Sequence, residues 1–494
     1  MTAEQDAGPR TYGHWRLGRP PGLLGLGPVA TGAMFVAMMI STVTLAAAGL
    51  VAALVVALVS VAAFAPLVLR VGGGRTGAQA LTARLLWAMG VRRRHHVYFS
   101  GIVSRVTDTH RLPGILARAF VYEVETGRAD TFRFLPIVVI PQSRHYTVTL
   151  RCEADGTDLV DREDIDRRVA RLAQWLSKLA RESLLVQAQV TVDTAPDPGT
   201  RLAAEVDVAG SDGAPPLARK VMEEVVATYP AGSASIDTRV SLTFSPPDRQ
   251  KSGRSWDHEA MCREIATRLP GLVDGLSGTG AGAIAPMSTP ELAAAIRTAY
   301  DPAAAIDIAR ARALEIPWED CGPVSTREAW DHYRHDSGVS VTWAMQEAPR
   351  GTVYDSALTR LMAPSPTVTR KRVSIIYRPY APGKAAKLVE SDVRTALFLA
   401  QKNNRTTARD SVDVMAARQT AAEEAQGAGV VRFTLLVTAT VLDPADLDDA
   451  ETVVDSLGDE ARVVLRKCYG SQAAAFAAGL PAGLVLSRHA SIPF

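Results

Sequence analysis

The chain reads as an α+β protein: an N-terminal transmembrane helical hairpin followed by ferredoxin-like α+β modules. Two features predict this. From Pro20 to Leu69 there is no Asp, Glu, Lys or Arg, and about 20 apolar residues suffice for a helix to cross a bilayer. After Val97, short β-branched runs alternate with amphipathic helical segments, the pattern of a sheet covered by helices.

The uncharged run divides into two spans, about Val29–Ala48 and Leu50–Leu69, with the turn near Gly49. At membrane depth each backbone N–H and C=O must be paired within its own segment, which requires helix. Both flanks are basic. Arg16 and Arg19 precede the run; Arg70, Arg75 and the run Arg92, Arg93, Arg94 follow it. The positive-inside rule then places both termini in the cytoplasm below a bacterial inner membrane, which two crossings satisfy and one does not; a single long span, or a hairpin with one re-entrant arm, is the alternative. Residues 1–28 form a cytoplasmic arm, 29–69 the hairpin and 70–96 a basic juxtamembrane segment. Within the last, Ala80, Leu81, Leu85, Leu86 and Met89 share one helical face, flanked by Arg84 and Trp87. That suits a helix lying in the lipid interface, and an ordinary core helix fits equally.

At 494 residues the chain is long enough for about three domains. The formal net charge of +2 gives no global basic field for nucleic acid. The cytoplasmic part is divided at 97–250, 251–370 and 371–494. Strands are predicted at Tyr98–Val106, Phe120–Glu125, His145–Cys152, Val186–Asp193, Ser235–Phe244, Val373–Tyr377, Val431–Val441 and Arg462–Cys468. Helices are predicted at Asp161–Leu185, Leu217–Thr228, Asp257–Leu276 and Pro444–Leu457, with one long helical stretch at Lys384–Gln426. Three strand segments resemble each other: YTVTLRC at Tyr146, RVSLTFSP at Arg239 and KRVSIIYRP at Lys371. They suggest two or three modules related by internal duplication.

Catalytic signatures are not found. A P-loop needs a Gly-Lys-Ser/Thr ending, and neither GGGRTGAQ at Gly72 nor GLSGTGAG at Gly275 has one. GLSGT also fails the last position of a nucleophile elbow. His332 and His335, with Asp336, have a spacing that could supply metal ligands, but no third ligand is evident, and solvated residues at a helix end are the simpler reading. Cys152, Cys262, Cys321 and Cys468 are too dispersed for a zinc or iron–sulfur site and read as small semi-buried residues. Lys402–Arg409 (KNNRTTAR) could touch phosphates but lacks an aromatic platform. No catalytic residue, cofactor or metal is assigned.

Three blocks carry a resemblance: YGHWRLGRPPGLLGLGPVATG at the N-terminus, PWEDCGPVSTREAWDHYRHDSGVSVTWAMQEAPRGTV in the centre, and KNNRTTARDSVDVMAARQTAAEEAQGAGVVRF with GSQAAAFAAGLPAGL beyond. Together they resemble an actinobacterial family of membrane proteins found alongside conjugation-type (type IV secretion) ATPases. Val373–Leu484 is similar to the non-motor N-terminal domain of that ATPase, including a Q-x-x-x-F-x-x-x-LP-like segment at Gln472, Phe476, Leu480 and Pro481. The apolar hairpin resembles the ATPase's two-helix membrane partner. The resemblance implies a non-enzymatic inner-membrane scaffold within a hetero-oligomeric complex, with a motor ATPase as partner and Phe476 and Leu480 as the contact surface if their shared face is exposed. A membrane component of type VII-like secretion, and a membrane-tethered enzyme or regulator, are the alternatives.

Overall fold

The computed structural model describes residues 28–71, 75–104, 109–126, 133–156, 160–197, 200–211, 213–228, 234–247, 256–310, 316–349, 353–402 and 408–489. Helix α1 (Pro28–Val68) is the apolar run, and the backbone leaves helical geometry at Gly49 (φ 84°, ψ −179°), where the turn is predicted. Glycine alone takes such a φ without strain. Thr31–Ala63 forms one apolar stretch of 33 residues, long enough to cross a membrane and almost wholly unburied. A short ribbon pairs Arg70 with Thr76 and Val71 with Arg75, and helix α2 (Gly77–Arg92) follows. Thr76 caps it reciprocally: Gln79 N donates to Thr76 Oγ1 (3.3 Å) and Thr76 N donates to Gln79 Oε1 (3.0 Å). No residue of α2 is buried, which excludes an ordinary core helix.

Among the described residues, thirteen strands form one sheet. They are β1 (Val97–Phe99), β2 (Phe120–Glu125), β3 (Phe134–Ile140), β4 (His145–Glu153), β5 (Leu185–Pro196), β6 (Ala234–Phe244) and β7 (Ala283–Pro286). β8 (Ser325–Glu328), β9 (Tyr333–His335), β10 (Gly338–Glu347), β11 (Arg370–Pro379), β12 (Val431–Val441) and β13 (Val464–Lys467) complete it. The order is β1–β8–β9–β10–β12–β11–β5–β6–β4–β3–β2, with β13 on β10 and β7 on β4. Every pairing is antiparallel.

The two sides of this sheet repeat one another about the β5–β11 junction. In the first half, β3 and β4 lead through α3 (Arg162–Arg181) to β5. The pair α4 (Thr200–Ala209) and α5 (Pro216–Thr228) then leads to β6, α6 (His258–Leu276), β7 and α7 (Thr289–Tyr300). In the second half, β9 and β10 lead through α8 (Thr359–Met362) to β11. The pair α9 (Pro382–Lys402) and α10 (Ala408–Ala425) then leads to β12, α11 (Leu447–Glu460), β13 and α12 (Gln472–Ala478). The register matches as well. Thr191 pairs with Ser374, while Val190 pairs with Ile375 and Val192 with Val373, so a half-turn about the Thr191–Ser374 pair exchanges the strands. Even the bonds after the last strands correspond: Met287 N donates to Thr149 O and Cys468 N to Thr342 O, both at 2.9 Å.

Strand alternation gives the sheet two unlike faces. On one, Tyr146, Val148, Leu150, Val240, Leu242 and Phe244 pack with Trp175 and Leu179 of α3 and Ile265, Leu269 and Leu272 of α6. In the second half, Val341, Trp343, Val437 and Ala439 pack with Val454 of α11 and Leu361 of α8. The other face carries cross-strand hydroxyl pairs: Thr147–Thr243 (3.1 Å), Thr149–Ser241 (2.9 Å), Thr191–Ser374 (2.9 Å), Thr342–Thr438 (3.0 Å) and Ser340–Thr440 (2.7 Å).

Several expectations change. β1 stops at Phe99, and a 3-10 turn at Gly101–Val103 interrupts the predicted strand, whose last two residues, 105 and 106, lie outside the described residues. The stretch Lys384–Gln426 is two helices packed on each other. The three look-alike segments are β4, β6 and β11, whereas register equates β4 with β10, β6 with β12 and β5 with β11. A boundary at residue 250 would separate β6 from α6 and β7, although β7 pairs with β4.

Trp175 tests the packing of the first half, since it is fully buried and its Nε1 donates to Leu272 O at 3.0 Å. Trp175→Ala should lose about 3–5 kcal/mol in urea unfolding, whereas exposed Phe398→Ala should stay within about 0.5 kcal/mol of the parent.

Candidate functional site

The hydroxyl face is closed by α7, α12 and the segment after it. Thr342 lies between the stretches of β10 that pair with β9 and with β13. There the Gln472 amide completes the ladder: Thr342 N donates to Gln472 Oε1 (2.8 Å) and Gln472 Nε2 donates to Thr342 O (3.3 Å). Glu328 Oε1 accepts from Ala473 N (3.0 Å), pinning the start of α12. Further on, Thr149 Oγ1 donates to Pro481 O (3.0 Å) and Thr243 Oγ1 to Gly483 O (3.2 Å). Gly483 has φ 65°, and a Cβ there would collide with the Thr147 and Thr243 hydroxyls. The Gln472–Leu484 segment therefore bonds to the second half at one end and to the first half at the other.

Phe476 and Leu480, the residues singled out as a contact surface, are both wholly buried. The Phe476 ring lies 5.1 Å from Tyr300, 5.3 Å from Tyr333 and 4.8 Å from His335, with the Arg372 guanidinium 4.7 Å from its centroid. Their i, i+4 spacing was legible, but which way the face turns was decided by the sheet below. They are core, and no partner can reach them in this fold.

Beside Phe476 lies a group of buried charges that sequence patterning missed. Asp193, 2% exposed, accepts from Arg370 Nη2 (2.9 Å) and Arg239 Nη1 (3.3 Å), and Arg239 Nη2 also donates to Asp237 (3.3 Å). Burial pushes the Asp193 carboxyl up, but Arg370, Arg239 and Arg372 outweigh it and hold it down at about 2. Arg372 is pulled down to about 10 by burial. Lys371, on the opposite face, is 1% exposed; among the described residues its Nζ has no hydrogen-bond partner, and burial lowers it to about 8. The alternation R-K-R inside a strand run was the available signal.

His332 and His335 do not converge on a metal, and they lie at strand β9, not at a helix end. His332 Nδ1 is 2.9 Å from Asp331. His335 is fully buried, with Nδ1 2.6 Å from Tyr300 O and Nε2 2.7 Å from Ser340 Oγ. A carbonyl only accepts, so Nδ1 carries the proton and Nε2 accepts from Ser340. Asp336 accepts from Val324 N, Ser325 N and Arg297 Nη1, at 2.8–2.9 Å. Among the described residues no His, Cys, Asp or Glu cluster could hold a metal ion. Cys152, Cys262, Cys321 and Cys468 are all buried.

The glycines of GLSGTGAG turn α6 into β7. Gly278, Gly280 and Gly282 have φ of 72°, 91° and 64°, and a Cβ on Gly282 would strike Glu153 O. That accounts for them by close packing. Residues 72–74 of the other glycine run and 403–407 of KNNRTTAR lie outside the described residues, as do Arg16 and Arg19.

Of the membrane-flanking arginines, Arg92, Arg93 and Arg94 are exposed at the end of α2, while Arg70 and Arg75 belong to the ribbon before it. α2 leans on the body through aromatic contacts. Trp87 meets Trp330 edge-on at 5.5 Å, Trp330 stacks on Tyr469 at 6.1 Å, and Arg84 lies 5.9 Å from the Trp330 centroid. Leu81, Leu85, Leu86 and Met89 stay exposed. The model of a domain of unknown function, DUF8461, matches residues 19–79, which span α1 and the start of α2. No curated protein matches the chain.

Two outcomes follow from these placements. Phe476→Asp should prevent folding, read as lost cooperative unfolding, because it buries a carboxylate among rings. Burial holds His335 down at about 4 against an ordinary 6.5, the bond to Tyr300 O opposing and Arg372 reinforcing it. Between those values the unfolded chain binds the proton that the folded one excludes, so stability falls as pH drops through that window. The slope reaches up to about 1.4 kcal/mol per pH unit for this group. Urea titrations across the window should be steeper in pH for the parent than for His335→Gln.

Proposed function

We propose that this chain is a membrane-anchored, non-catalytic scaffold of a conjugation-type (type IV) secretion machine, acting by contact with a motor ATPase on another chain. The observation that carries the membrane part is α1, an apolar helical stretch left almost unburied by the body. On this reading α1 is a hairpin. A straight helix of 41 residues would be about 60 Å long, twice the ~30 Å hydrocarbon core. Division at Gly49 yields two spans of about 30 Å and returns both basic flanks to the cytoplasm. Small residues recur along one partly covered face on each side of Gly49: Ala37, Ser41 and Thr44 before it, Ala53, Ala57 and Ser60 after it. Such stripes let membrane helices approach closely. α2 then lies on the cytoplasmic lipid surface, Leu81, Leu85, Leu86 and Met89 entering it and Arg92–Arg94 near anionic headgroups.

We infer further that the body is a pair of ferredoxin-like modules produced by duplication. In each half a β-α-β-β-α-β path inserts its third strand between the first two, giving β7–β4–β6–β5 and β13–β10–β12–β11. The secretion assignment rests on the resemblance of the N-terminal, central and C-terminal blocks. The ATPase contact belongs on α5, where exposed Leu217, Val221 and Val225 recur at helical spacing beside Met222.

Reporter fusions at Gly8 and after Val97 should both report cytoplasm; an external signal from either overturns the hairpin. A motor ATPase should co-purify with the chain from its native membrane. Leu217→Asp with Val221→Asp should remove it while leaving thermal stability unchanged, because both positions are solvent-facing. Failure of the unmodified chain to retain any ATPase overturns the partnership.

A further inference from the structure

A second region of the hydroxyl face is built unlike the rest. Arg378 of β11 stands directly opposite Arg432 of β12, two like charges in register; side chains so placed lie roughly 5 Å apart at Cβ. Gln187 of β5 precedes Ala188, the partner of Tyr377, and the strands are antiparallel, so it adjoins Arg378 on the same face. Gln187 pairs with Thr243 and Thr243 with Thr147, two residues along β4 from His145. The 3-10 turn Leu486–Arg488 brings Arg488 and His489 over this row, and Leu486 packs there on Ile376 and Leu436.

The row lacks partners. Gln187 and His145 are each 1% exposed, yet among the described residues both Gln187 amide atoms and His145 Nδ1 have no hydrogen-bond partner; nor do the buried Arg378 Nε and His489 Nε2. Among the described residues Arg378, Arg432 and Arg488 make no ion pair. The pseudo-dyad sharpens the contrast. The half-turn that exchanges Thr191 with Ser374 carries Asp193 onto Ile376 and Gln187 onto Arg370. At one end Asp193 neutralises Arg370 and Arg239. At the other its place is taken by an isoleucine, and the cations are left without an acid.

We propose that this row is an anion site that takes a phosphate group. Three guanidiniums exceed what one carboxylate would balance, and their planar forks suit phosphate oxygens. Gln187 and His145 supply neutral bonds at the buried end. The low affinity of His145 for a proton agrees: burial, then Arg488, His489 and Arg378, hold its imidazole down at about 4. The phosphate comes from a soluble phosphate ester or from a lipid headgroup.

Equilibrium dialysis of labelled inorganic phosphate against the full chain in detergent, at constant ionic strength, tests this. One saturable equivalent per chain is expected, with at least a tenfold loss of affinity in Arg488→Gln and in Arg378→Gln. Arg488 is exposed, so its variant keeps the fold even if Arg378→Gln does not. Displacement by glycerol phosphate as well as by dihexanoyl phosphatidic acid identifies a soluble ester, and displacement by the lipid alone a headgroup. Absence of saturable binding, or equal binding by Arg488→Gln, overturns the proposal.

Discussion

The body depends on one antiparallel junction, β5 against β11, centred on the Thr191–Ser374 pair. Each half alone would leave that strand as a long sheet edge, with unpaired N–H and C=O groups open to any other strand. Joining the edges removes both liabilities and makes a single sheet of the two halves. The hydroxyl pairs on its inner face need close, in-register strands, since a slip of one residue would send every hydroxyl to the apolar side. Junction and register support each other: shifting one unmakes the other.

A sheet with a polar inner face needs a cover that can answer its donors. The segment from Gln472 to Leu484 does so with a side-chain amide at one end and main-chain carbonyls at the other. It spans both halves of the sheet, so the spacing of Gln472, Phe476, Leu480 and Pro481 is explained by structure before any partner is invoked. The apolar members fill the space between, and the Arg372 guanidinium lies over the Phe476 ring.

The same economy governs the N-terminal end of the body. α2 has no buried residue, yet it does not float: the Trp87–Trp330–Tyr469 contacts tie it to the strand turn beside β9 and to Tyr469, two residues past the end of β13. An exposed leucine stripe held on a rigid body meets a surface in one orientation, which a stripe on a free linker could not do. The geometry of α2 thus links the apolar helix to the sheet.

The amino-acid sequence by itself determined the apolar run, the break at Gly49 and most strands and helices, because these follow from local periodicity and from glycine at the turn. Strand β2 and helix α6 fall within a residue of their predicted limits for that reason. It did not determine which strands pair, since β-branched runs look alike whichever neighbour they meet; YTVTLRC, RVSLTFSP and KRVSIIYRP resemble each other yet occupy unrelated places in the repeat. Nor could spacing say whether Phe476 faces solvent or core, whether His335 is solvated, or that Asp193, Arg239 and Arg370 from three strands would meet. Those outcomes depend on contacts between residues far apart in the chain, and only the tertiary structure decides which faces of a helix or strand are left for water.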